Sequence, residues 1–60
     1  MPLTEKELSA IEDQLSSEKL LVTKIRAYSQ MCTDPQLKSK CDCIANQHQT
    51  HYDKLLGFLN

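Results

Sequence analysis

Residues 32–38 read CTDPQLK, and the reading of this stretch decides the fold. Proline lacks a backbone donor and holds φ near the helical value, so Pro35 suits the first turn of a helix and no later position. Asp34 or Thr33 can cap in front of it, and Thr33 with Gln36 spells a capping box. The residue before a proline is biased away from helix. The chain therefore turns between Met31 and Asp34, ending one helix and starting another.

Toward the N-terminus, no proline or glycine occurs between Leu3 and Asp34. Thr4 followed by Glu7 is a capping box, with Leu3 and Leu8 placed for a hydrophobic staple. From there Leu8, Ile11, Leu15, Glu18, Val22, Ile25 and Ser29 alternate steps of three and four, the spacing of a helix seam. Leu21 and Tyr28 widen one flank. The first helix is expected over about residues 5–31 and the turn over about 32–34.

Toward the C-terminus, Leu37, Cys41, Ile44, His48, His51, Leu55 and Phe58 repeat the same steps, with Ala45, Tyr52 and Leu59 on a flank. The second helix is expected over about residues 35–59, with Gly57, the one glycine, in its last turn. A turn this short makes the helices antiparallel neighbours. With the turn centred on Thr33, facing residues have numbers that sum to about 66. Leu8 then meets Phe58, Ile11 meets Leu55, Leu15 meets His51 and Glu18 meets His48. Val22 meets Ile44, Ile25 meets Cys41 and Ser29 meets Leu37. Every seam residue finds a seam partner, so the two patterns agree on one all-α hairpin filling residues 1–60.

A 60-residue chain is near the lower limit for folding alone. The apolar stripe (Leu8, Ile11, Leu15, Leu21, Val22, Ile25, Tyr28, Ile44, Tyr52, Leu55, Phe58 and Leu59) is wider than a two-helix seam uses. Two hairpins related by a two-fold axis would form a four-helix bundle and cover the surplus, so a homodimer is expected. An unrelated partner helix is the other way to cover it.

Net charge is −1, which gives no footprint for nucleic acid or an anionic membrane. The longest apolar run is LLV at Leu20–Val22, far from the ~18 residues of a membrane span. The N-terminal residues lack the apolar core of a signal peptide. Cys32, Cys41 and Cys43 are an odd number, which speaks for reduced thiols rather than a disulfide framework. On a helix Cys41 and Cys43 point about 200° apart and do not converge on one ion. The expectation is a cytoplasmic protein. There is no glycine-rich phosphate loop and no credible nucleophile set, so no enzymatic activity is expected.

The polar seam positions cluster. Glu18 falls level with His48, and His51 lies one layer away. Two readings stand. A Glu18–His48 hydrogen bond makes a structural polar layer that fixes register, a role attested for buried polar residues in bundles. Alternatively His48 and His51, three apart on one face, join Glu18 across the seam as a two-histidine, one-carboxylate set for a transition metal such as zinc or iron. Lys38 and Lys40 read as a solvated pair, and no other cofactor is expected.

The strings LTEKEL, LSSEKLL, CTDPQLK and IANQHQTHYDKLLGFL resemble the spore coat protein F family of endospore-forming bacteria. Members of that family are small ferritin-like helical proteins. The resemblance implies half of a ferritin-like bundle, a role in sporulation or the spore coat, and other spore coat proteins as partners. Ferritin-like di-iron proteins use a lone Glu on one helix and Glu-x-x-His on the next. Glu18 and His51 match those places, but His48 stands where the motif has Glu. The set here is nitrogen-rich, which speaks against di-iron oxidase chemistry and suits zinc, copper or nickel as well as iron.

Overall fold

The computed structural model describes residues 3–59. Two helices, α1 (Glu5–Met31) and α2 (Pro35–Gly57), lie side by side in a rod of 46 × 14 × 12 Å. No strand and no left-handed backbone occurs among the described residues.

Each boundary has a local cause. Thr4 caps α1: its hydroxyl accepts from the Glu7 N–H at 3.1 Å, and its own N–H donates to the Glu7 carboxylate at 3.0 Å. That bond holds the Glu7 carboxyl below its ordinary value. At the turn Cys32 leaves the helical conformation, and Asp34 accepts from the N–H groups of Gln36 (2.9 Å) and Leu37 (3.4 Å). Of the two candidate caps, Asp34 therefore makes the bonds, and Pro35 takes the first helical position. The second helix stops at Gly57, two residues short of the expected end. Phe58 and Leu59 continue as a turn, their N–H groups donating three residues back to Leu55 and Leu56.

From Ile11 to Ser29 the α1 seam is as read from the spacing, while Leu8 at its start is exposed. Leu15, Glu18, Val22 and Ser29 are buried, and Ile11 and Ile25 are half-buried. The α2 seam differs. Ala45, placed on a flank by the heptad reading, is completely covered, whereas Ile44 is 42% exposed. Cys41, Asp42, His48, Gln49, Tyr52 and Leu55 are half-buried, while Leu37, His51 and Phe58 are exposed. Within one hairpin α2 is thus turned so that the Cys41–Ala45–His48–Tyr52 line faces α1. The row Leu37–Ile44–His51–Phe58, apolar except at His51, is left beside that line.

Polar contacts account for the turn. The Ser29 hydroxyl donates to the Asp42 carboxylate, and the Arg26 guanidinium donates to the Asn46 side chain at 3.4 Å. Lys38, expected to be solvated, reaches back across the turn and donates to the Ser29 carbonyl (3.2 Å) and hydroxyl (3.3 Å). The last turn of α1 has no cation of its own, so Lys38 places one against the Ser29 carbonyl, which also accepts from the Cys32 N–H.

These contacts give the rod two unlike sides. Arg26 and Asn46 meet on one. Tyr28 and Ile44, each two residues away and so about 200° round its helix, lie on the other. Leu21 stands two turns before Tyr28. Leu37, His51 and Phe58 stand two or four turns from Ile44. One side of the hairpin is crossed by hydrogen bonds, and the other presents apolar side chains along its length. Leu21 is 40% exposed, Tyr28 62% and Phe58 67%. No large side chain among the described residues is fully buried within the hairpin.

Candidate functional site

Glu18 is the middle residue of α1, and it is buried although charged. A buried carboxylate needs partners. The His48 Nδ1–H donates to Oε2 at 2.6 Å across the seam. The Gln14 amide, one turn back on α1, donates to Oε1 at 3.1 Å. His51, one turn on from His48, brings its Nδ1 to 3.8 Å from the same Oε1. Glu18 and His48 meet as the turn-centred register requires. Both imidazoles converge on one carboxylate, each nearer a different oxygen.

The hydrogen bond from His48 holds the Glu18 carboxyl below its ordinary value. Burial opposes that shift, and the Gln14 bond and the charges of His48 and His51 assist it. The two rings stand edge to face, 5.8 Å apart and at 88°. One donor atom from each of Glu18, His48 and His51 fits within 4.8 Å of the others. No buried side-chain nitrogen or oxygen lacks a partner among the described residues.

Gln14 and Asp42 were invisible to the seam reading. Gln14 was legible as a residue four before Glu18, where a carboxamide reaches a helical neighbour. Asp42 carried no such signal, since it lies off the heptad. Glu12 and Lys40 stay exposed. Tyr28 is exposed and Tyr52 half-buried.

The three thiols are free. Cys43 is exposed, while Cys32 and Cys41 are half-buried. Burial pushes the Cys32 thiol up, and the neighbouring Cys41 pushes the same way. No pocket opens among the described residues, and no helix among them is long and apolar enough to cross a membrane. The chain matches no protein-family model, no curated protein and no solved structure.

Proposed function

We propose that the chain is a non-enzymatic structural and interaction element that works as a homodimer, two hairpins packed face to face as a ferritin-like four-helix bundle. The observation that carries this is the apolar side of the rod, with Leu21, Tyr28, Ile44 and Phe58 open to solvent beside a core that, among the described residues, is only Leu15, Val22 and Ala45. So small a core is thin support for two helices of 27 and 23 residues.

The occupant is a second copy. The apolar side runs the length of both helices, and a partner of equal length covers it from end to end. The rod is 46 Å long and two helices wide, so a second copy can lie along it from end to end. Either two-fold arrangement keeps the polar layer together. If the axis runs along the helices, like residues share a level. If it crosses them at mid-length, Glu18 is the residue it passes. A role in the spore coat, alongside other coat proteins, rests on the sequence resemblance alone.

Light scattering across a concentration series tests the reading. A mass of two chains is expected, with Ile44→Glu shifting the protein to one chain. Ile44 is outside the hairpin seam, so the variant should keep its helicity. A wild-type chain that stays monomeric and melts cooperatively at high concentration would overturn the proposal.

A further inference from the structure

A structural polar layer needs Glu18 and His48. It does not need His51. The His51 side chain is 57% exposed and has water available, yet its Nδ1 lies 3.8 Å from a carboxylate that already accepts two hydrogen bonds. Its ring stands at right angles to that of His48. Three donors of the zinc-ligand type therefore lie within 4.8 Å of one another, on two facing helices.

We infer that Glu18, His48 and His51 form a binding site for one divalent transition-metal ion per chain, zinc or a first-row ion of similar ligand preference. A tetrahedral ion with bonds of about 2.0–2.1 Å holds its ligands roughly 3.4 Å apart. The nitrogen–carboxylate separations are 2.6 Å to Oε2 and 3.8 Å to Oε1, and one donor atom from each residue lies within 4.8 Å of the others, so the side chains close by an ångström or more to surround an ion. Two nitrogens and one carboxylate oxygen select against calcium and magnesium, which take oxygen ligands. Gln14 orients the carboxylate from outside the donor set, as second-layer groups do in metal sites. Three protein ligands leave a fourth position for water.

The ion needs both imidazoles neutral, with the bound ring nitrogen free of its proton, so protons compete with the ion and binding weakens in acid. All three donors come from one chain, and the inference stands or falls independently of dimerisation.

Cobalt(II) titration of the full, reduced chain tests it. The expected result is visible absorption of tetrahedral type that saturates at one cobalt per chain and is displaced by zinc. Groups that merely orient a ligand change affinity by about 10–100-fold. Losing a ligand should cost no less, so His51→Ala should bind cobalt at least about tenfold more weakly with unchanged far-UV circular dichroism. His51→Gln, which keeps a polar side chain at the position, should behave alike. Three outcomes would overturn the inference: no saturable binding, equal affinity in the His51 variants, or sulfur-to-cobalt charge-transfer absorption, which would put the ion on the thiols.

Discussion

Glu18 is a carboxylate taken out of water in the middle of a helix, and its partners decide what it does to the chain. Its carboxyl titrates below the ordinary glutamate value in the folded chain, chiefly because of the His48 hydrogen bond, and regains that value on unfolding. A depressed carboxyl stabilises the fold above the unfolded value, and the contribution is lost as pH falls through the folded one. The urea midpoint should therefore hold steady from neutrality to about pH 5 and decline below it. Glu18→Gln should lower the midpoint at neutral pH and flatten that decline. A variant as acid-sensitive as the wild type would show that other carboxyls control the acid limb. At Ala45 the methyl is completely covered. Ala45→Leu should cost about 1–3 kcal/mol by overpacking in chemical denaturation. At this scale the Glu18–His48 bond was legible because both residues lie on heptad lines. The Ser29–Asp42 and Lys38–Ser29 bonds were not, because long polar side chains choose partners that backbone periodicity does not encode.

The helices are set by their ends. Both begin with caps written in the sequence, and the boundaries at Glu5, Met31 and Pro35 fall where capping and proline geometry put them. Thr4→Ala should cost about 1 kcal/mol, read as a loss in denaturant midpoint, and Asp34→Ala a similar amount. Gly57 is a different case. Nothing lies within 4 Å of a Cβ built there, and its φ is not positive. Gly57→Ala should stabilise the protein by about 0.5–1 kcal/mol and extend helicity at the end of α2. An unchanged thermal midpoint would mean that the last turn frays regardless of residue type. The rotation of α2 was the part of the fold that periodicity left open. Its apolar residues fill two adjacent rows, either of which satisfies a heptad. Ala45 can lie flush against α1, while Asp42 and Asn46 are held from the polar side, so the row with the smaller side chain packs inward.

Across the whole molecule the hairpin is held unevenly. Ser29, Val22 and Ala45, which have 2%, 7% and 0% exposure, all lie in the half nearer the turn. The Lys38, Ser29 and Asp42 contacts are there too. At the far end Leu8 and Leu59 are each 39% exposed and Phe58 67%. The rod resembles tweezers, tight at the pivot and loose at the tips. Opening should begin at the tips and run toward the pivot, each step breaking only a few contacts. Amide protons should exchange with deuterium slowest around residues 22–29 and 41–48 and fastest near 5–11 and 54–57, in a graded series along each helix. In a bundle of two copies whose axis crosses the rods, each pair of loose tips would lie over the other copy's pivot, and association would level the gradient.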